Sequence, residues 1–175
     1  PLGLAPVSLG SAGLLADDEP LMAVNGGDDG SIAATRLVSR RAFSGYWEYH
    51  VDGALFTSPP MAAHSGAGLF NGAGELVGIG SLFVADARGP GTPRLPGNMF
   101  VPVDLPRGKL PELLSGRRSR ESERAWLGIN CVEVDGRIRV VRVSEDSPAD
   151  VAGLEVGDTI LSIDGLAVAT LEKLW

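Results

Sequence analysis

Across residues 1–105 glycine and proline cut the chain into short apolar runs, and this punctuation limits the fold more than any other feature. Runs of that length, bounded by Gly, Pro, Asn and Asp, read as strands rather than helices. "LMAV" (21–24) leads into the glycine-rich "NGGDDG" (25–30), after which "SIAATRLVS" (31–39) resumes an extended pattern. The glycines there read as a turn: no Gly-Lys-Ser/Thr follows to make a phosphate cradle, and the aspartates lack the spacing of a calcium loop. "WEYHVDGALFT" (47–57) predicts two extended runs reversing at Asp52-Gly53, a strong hairpin dipeptide. "GLFNGAGELVGIGSLFV" (68–84) predicts a second hairpin, turning at Asn71-Gly72 and Ala73-Gly74. "RGPGTPRLPGN" (88–98) predicts a loop, and "MFVPVDL" (99–105) a last strand at an edge or bulge, because Pro102 has no amide to give a ladder. Strands at this spacing predict a sandwich or a barrel.

The next segment, 106–124, differs in kind. Leu110, Leu113 and Leu114 are spaced for a short amphipathic helix that Gly116 can stop. The charged run after it, with Arg117, Arg118, Arg120 and Arg124, reads as a solvated linker. From Ala125 the chain turns apolar again. "INCVEV" and "RIRVVRV" predict strands joined through Asp135-Gly136. "SPADVAGL" (147–154) predicts a short helix capped by Ser147, entered through Pro148 and ended by Gly153. "DTILSIDG" (158–165) predicts a strand and turn, and Thr170 a cap for a final helix, "LEKLW". The division is therefore 1–105, a connecting 106–124, and 125–175.

Composition narrows the function. Twenty-two acidic against 15 basic residues give a formal charge of −7, which opposes binding to a nucleic-acid backbone. Cys131 is the only cysteine, so no intrachain disulfide and no cysteine-rich metal site can form, and no cofactor is implied. No apolar run approaches the roughly 18 residues that cross a bilayer as a helix, so no membrane insertion is expected of this chain. It begins with Pro1 rather than Met, as expected of a processed or excised piece whose targeting signal is lost.

From Ala125 onward the chain resembles a bacterial PDZ domain, on "WLGI" (126–129), "SPADVAGLEVGDTILSIDG" (147–165) and the helix starting at Thr170. The resemblance implies that the loop Trp126, Leu127, Gly128 and Ile129 offers backbone amides to a peptide's terminal carboxylate, and that the strand after it adds the peptide as a further strand. Gly128 would let the ligand approach the backbone closely. Trp126 and Leu127 have a second reading, as core side chains. The chain ends at Trp175, one turn into the helix that would wall the groove, so an incomplete domain is expected.

Residues 1–105 resemble the C-terminal β-barrel of trypsin-like serine proteases of the HtrA/Deg type, which carry a PDZ domain after the protease. The motif is "AHSGAGL" (63–69) followed by "GELVGIG" (74–80); the serine, Gly66, Leu69 and the hairpin match, whereas Ala63, Ala67 and Gly68 replace two glycines and a proline. The fold class implied is mainly β, the second protease barrel followed by a truncated α/β PDZ domain. Ser65 would be the nucleophile, which needs a base to remove its proton. The oxyanion would meet the backbone amides of Ser65 and Ala63, a site worth about 3–4 kcal/mol in the transition state. Alanine at 63 disfavours the dihedrals a glycine would adopt there, so the hole is absent or forms by rearrangement. Ile79, Gly80 and Ser81 would pair with substrate backbone, and Pro59 would lie near the floor of the primary specificity pocket, which carries no Asp or Glu.

The chain's two histidines do not supply the base: His64 is adjacent to Ser65 and points away, and His50 lies on a predicted strand. In trypsin-like folds the histidine and aspartate come first in the chain. They are expected in a segment preceding Pro1, and this chain alone is expected to be inactive. The resemblance implies a serine endopeptidase of protein quality control, in the periplasm or cell envelope, acting on unfolded polypeptides or peptide C-termini and forming a homo-oligomer. The alternatives are a pseudoprotease or peptide-binding adaptor, favoured by Ala63 and Ala67, and a scaffold with a merely structural barrel.

Overall fold

Strand β1, Pro20–Asn25, buries Leu21 and Ala23 and exposes Pro20 and Met22, the period-two pattern of a sheet with one face on a core. The computed structural model to which it belongs describes residues 3–26, 30–45, 49–89, 91–115 and 125–174. The predicted stop at Gly116, the charged linker with Arg117, Arg118, Arg120 and Arg124, and Trp175 lie outside the described residues. By contact the chain falls into two units, Pro1–Arg41 with Asp52–Arg117 and Ala42–Val51 with Arg118–Trp175.

Five more strands follow β1: β2 (Ser31–Gly45), β3 (Tyr49–Ser58), β4 (Gly68–Phe70), β5 (Leu76–Val84) and β6 (Gly97–Pro102). They close into a barrel in the order β1-β2-β3-β6-β5-β4, with β4 pairing back on β1 through Met22↔Phe70, Ala23↔Leu69 and Val24↔Gly68. Closure leaves the sheet without an edge. Leu21, Ala23, Leu37, Leu55, Met61, Leu69, Val77 and Phe100 fill the interior with Ala12 and Leu15 from a 3₁₀ turn (Ala12–Leu14) ahead of β1. A short helix α1 (Asp104–Arg107) fastens that leading segment: Ala12 N–H donates to Asp104 Oδ2 at 2.6 Å, and Arg107 donates to the carbonyls of Leu9 and Gly10.

Two expectations are corrected. Asp52-Gly53 makes no hairpin, because β3 runs straight through it; Gly53 takes φ +61°, while Val51, Ala54, Leu55 and Phe56 on either side are buried, Leu55 in the barrel core. Burial of four neighbouring apolar side chains overrides the local turn preference of the dipeptide. The last strand also ends at Pro102 rather than 105, since Asp104 and Leu105 open α1. The hairpin at 71–75 stands as expected, with Asn71 Oδ1 accepting from the amides of Ala73 and Glu75. Helix α2 (Leu110–Leu114) falls where the leucine spacing placed it.

The second unit holds β7 (Ile129–Val134) and β8 (Arg137–Val143), joined through Asp135 and Gly136 at φ +51° and +68°, both in the left-handed region that a tight hairpin needs. Strand β9 (Thr159–Ile160) completes a sheet in the order β7-β8-β9, so β7 is an edge. The predicted strand at 158–165 is broken at Leu161, and its second piece β10 (Ser162–Ile163) pairs instead with β11 (Leu166–Ala167). Helix α3 (Pro148–Val151) is capped by Ser147, whose hydroxyl accepts from Asp150 N–H at 3.2 Å, while Asp150 Oδ2 accepts from Asp146 N–H. Helix α4 (Leu171–Leu174) starts after Thr170 and sets Leu171 and Leu174 against a small core of Ile129, Cys131, Ile138, Val140, Ala149 and Val168.

In the barrel the long loop between β5 and β6 is held by Arg41. Its guanidinium lies 3.5 Å from the centroid of the Phe56 ring and donates to the carbonyls of Ala87 (2.9 Å) and Asp86 (3.2 Å). Partial burial pulls its pKa below the usual arginine value, with Asp86 opposing the shift. Arg41→Ala should lower the unfolding free energy by about 2 kcal/mol, by removing a charged donor and a cation–π contact. Arg41→Lys should recover less than half of that, because an ammonium lacks the planar fork. Chemical denaturation of the three proteins measures both values; an unchanged midpoint for the alanine variant would mean the loop is held by its own turns.

Candidate functional site

The loop between β3 and β4 is attached to the barrel at its entry. The carbonyl of Pro59, beyond a cis Ser58–Pro59 bond, accepts from Thr35 Oγ1 at 3.0 Å on β2. Two residues on, Met61 N–H donates to Oδ1 of the buried Asn98 on β6 at 2.6 Å. Past these anchors Ala62, Ala63, Ser65 and Gly66 come to the surface, and Ala67 returns to the core.

The exit is held by backbone alone. Gly66 N–H donates to Gly80 O (2.8 Å), Gly80 N–H to Ala67 O (2.7 Å), and Ala67 N–H to His64 O (3.0 Å). A Cβ on Gly80 would fall 1.9 Å from the carbonyl oxygen of His64, so only glycine at 80 lets the turn lie on β5. Gly66 takes φ +75°, which reverses the chain immediately after Ser65. Ser81 is the extra residue of a bulge, because the β5–β6 register shifts between Gly80 and Leu82. Ile79 is exposed beside it. The structure thus sets Gly80 against the turn that carries Ala63 and Ser65, with Ser81 next along β5.

Two side chains fix the carbonyls ahead of the serine. Asn25 Nδ2, at the end of β1, donates to Ala63 O at 2.6 Å. His64 Nδ1 lies 3.0 Å from Ala62 O, and since a carbonyl only accepts, that nitrogen carries the proton. Among the described residues the Ser65 hydroxyl and the amides of Ala63 and Ser65 have no hydrogen-bond partner. Ala63 is not among the residues at positive φ, so its backbone sits in the ordinary region for alanine. His50 Nδ1 is 2.8 Å from Ser44 Oγ. Among the described residues, the ring bonds of the two histidines run to Ser44 and to Ala62 O and not to Ser65.

Pro59 is exposed and lines a surface cavity of about 670 Å³ with Asp18, Arg36, Arg40, Ser58 and Arg88, among others. Neither Ser65 nor Ile79, Gly80 and Ser81 line that cavity. Asn25, Thr35 and Asn98 were missed by sequence reading. Asn25 passed as an ordinary turn former, and nothing in "PGNMF" marks Asn98 as a buried strand residue.

In the second unit, Gly128 has φ +77°, and a Cβ on it would lie 2.2 Å from that of the fully buried Ser147. The neighbouring carbonyls are both committed: Leu127 O accepts from Ala149 N–H (3.0 Å) and Gly128 O from Ser144 N–H (2.7 Å). The amides of Leu127 and Gly128 have no partner among the described residues. Trp126 is 57% exposed and Leu127 43%, so the reading of both as core side chains does not hold. Ile129 is buried and starts the edge strand β7. Helix α4 lies near β7, with Leu171 N–H donating to Glu133 Oε2 at 3.2 Å.

Residues 125–175 match the family described as PDZ domain. The chain is 32% identical over 120 residues to a probable periplasmic serine endoprotease DegP-like of Pseudomonas fluorescens, covering 61% of this chain and 24% of that protein. It is 33% identical over 102 residues to serine endoprotease DegS of Haemophilus influenzae, covering 58% and 29%. It therefore spans about a quarter of the length of the curated relatives it matches. Its fold is that of the HtrA-type protease AlgW solved with a tripeptide, at TM-score 0.56 and 19% identity over 98% of this chain and 60% of that one. In sequence and fold this chain is similar to HtrA-type serine endoproteases, with a mainly β protease-type barrel followed by a PDZ domain.

Proposed function

We propose that this chain is part of a serine endopeptidase that cleaves unfolded polypeptides, with residues 1–105 as its second protease barrel, 106–124 as a connector and 125–175 as a peptide-recognising PDZ domain. One observation carries the reading most: Ser65 is presented on the surface by a turn anchored at both ends, and among the described residues its own amide and that of Ala63 have no partner. The relatives named serine endoproteases support it. Ser65 Oγ attacks the scissile carbonyl carbon as a base takes its proton, and the resulting oxyanion is met by the amides of Ser65 and Ala63. The histidine and aspartate that supply the base come from a segment ahead of this chain, and the fragment by itself is inactive. Substrate lies in extended form along Ile79, Gly80 and Ser81, and unfolded segments suit this because their backbone groups are unpaired. Pro59 lies near the floor of the primary specificity pocket. The periplasmic naming of relatives supports the same compartment here.

In the PDZ domain, a peptide's terminal carboxylate is received by the loop Trp126, Leu127, Gly128 and Ile129 through the amides of Leu127 and Gly128, and the peptide adds to the edge of β7. The committed carbonyls of Leu127 and Gly128 support this, since they turn the acceptors away and leave donors. A second reading, a peptide-binding pseudoprotease, is favoured by Ala63, whose ordinary φ does not build the two-amide hole.

A fluorophosphonate probe on the full-length protein separates the two. The protease reading expects covalent labelling that Ser65→Ala abolishes; no labelling, with peptide binding retained, establishes the adaptor. Fluorescence anisotropy with a labelled decapeptide tests the second site. Binding should weaken at least about tenfold when the peptide's carboxylate is amidated, a loss of about 1.4 kcal/mol or more. Gly128→Ala should weaken the free-acid peptide similarly, by straining the loop against Ser147. Equal affinity for acid and amide would refute carboxylate capture.

A further inference from the structure

Strand β8 carries Arg137, Arg139 and Arg142, three of the four basic residues in 125–175, against nine acidic ones. All three are exposed, and among the described residues none of them has an ion pair. Like charges two residues apart on a strand stand side by side on one face, an arrangement that weakens a sheet unless something of opposite charge faces them. The register shows which face this is. Ile129 and Cys131 of β7 and Ile138 and Val140 of β8 point into the small core, so the residues between them point the other way. On that outward face Val132 stands opposite Arg139 and Val134 opposite Arg137. Both valines are short, and Val134 is 46% exposed. Arg142 lies beyond a bulge, opposite the buried Asn130.

A peptide whose carboxylate enters the loop ahead of β7 and whose backbone then pairs with that edge runs antiparallel to β7. Its last residue lies beside Ile129 and its earlier residues follow toward Val134. Directly opposed residues share a face, so the third residue before the last stands outward beside Val132, and the fifth outward beside Val134. Arg139 and Arg137 are one strand further back. Two strand spacings, about 10 Å, separate the peptide backbone from β8, a gap that a guanidinium and an acidic side chain close from both sides over a valine. The other face has the opposite charge. The fourth residue before the last stands beside Glu133, whose Oε2 accepts from Leu171 N–H, and an acid there meets a carboxylate.

We infer that the second unit selects peptide ends by the phase of their negative charge: Arg139 and Arg137 favour chain termini with Asp or Glu at the third and fifth residues before the last, and Glu133 disfavours acid one residue out of phase. The inference rests on the reading of the loop 126–129 as a carboxylate receptor and names the class of ligand for that site. The arginines meet side chains only and take no part in receiving the terminal carboxylate. They therefore set selectivity and leave the affinity for a neutral peptide alone.

The test titrates the full-length protein, carrying Ser65→Ala so that peptides stay uncut, with labelled decapeptides followed by fluorescence anisotropy. One has glutamate at the third and fifth residues before the last, one has glutamine there, one has the glutamates moved to the second and fourth, and one is the first with its terminus amidated. At low salt the in-phase glutamate peptide should bind about fivefold more tightly than the glutamine peptide, the combined effect of two exposed ion pairs. Most of that advantage should vanish at about 0.5 M salt, and the shifted peptide should bind no better than the glutamine one. Combining Arg137→Gln with Arg139→Gln should erase the advantage while the glutamine peptide binds as before, with thermal unfolding showing that the variant is folded. Equal binding of the in-phase glutamate and glutamine peptides, an equal gain from the shifted one, or a gain that survives the double substitution overturns the inference and leaves carboxylate capture standing. If amidation costs nothing, or no peptide binds, terminal capture itself fails and the inference falls with it.

Discussion

The contact between Gly80 and the carbonyl of His64 is the constraint on which the first site depends. Nothing larger than hydrogen fits between them, and the approach it permits is what lets Gly66, Ala67 and His64 exchange main-chain bonds with β5 and with each other. Without it the loop from β3 would have to bridge to β4 clear of the sheet, and its amides would be solvated at random. A turn built from backbone bonds owes little to its side chains, which explains why Ala67 can stand where related motifs have glycine. It also explains why Ser65 is exposed between neighbours that are committed on both sides, through His64 O and Gly66 N–H.

The PDZ unit uses the same device with different parts. Gly128 takes a left-handed conformation against Ser147, and the carbonyls of Leu127 and Gly128 are consumed by Ala149 and Ser144. Ser147 serves twice, since its hydroxyl caps α3 and its Cβ sets the wall that Gly128 approaches. In each unit acceptors are paired with the protein's own donors, leaving amides unpaired at the surface. An unpaired amide in water costs little, but it is a ready partner for an oxygen that arrives already stripped of water. On the proposed reading the two loops take oxygen-bearing, extended ligands for a reason that comes from backbone geometry and not from charge, consistent with a chain whose net charge is negative.

What could be read from sequence follows the same division. Turns made by the local chemistry of two or three residues were legible: Asn71 to Glu75, Asp135-Gly136 and the Ser147 cap lie where residue type places them. Asp52-Gly53 has the same local chemistry and yet continues a strand, because Ala54, Leu55 and Phe56 beyond it are all buried. At Leu161 the strand divides between two partners, β8 for Thr159 and Ile160 and the neighbouring β11 for Ser162 and Ile163. Ser65 stood out by its glycine and its hairpin, whereas Asn25, Thr35 and Asn98 did not. Each of the three acts across the barrel on the loop from β3, and single-residue signals carry no information about a partner some 24 to 38 residues away.

Ala63 is where these threads meet. Ahead of it the chain is held at Pro59 and Met61, and behind it at His64, Gly66 and Ala67. A segment pinned so closely on both sides can change shape only through the dihedrals of the few residues between the pins. Of these, Ala62 and Ala63 are exposed and make no main-chain ladder bonds. Glycine at 63 would leave that stretch free to sample both hands of the backbone, and alanine biases it to one by about 1–2 kcal/mol. A bias of that size is small against the stability of a barrel, yet it corresponds to roughly a five- to thirtyfold shift in the population of one turn. The conformation of the turn that presents Ser65 can therefore be set by a methyl group, with the barrel around it unchanged.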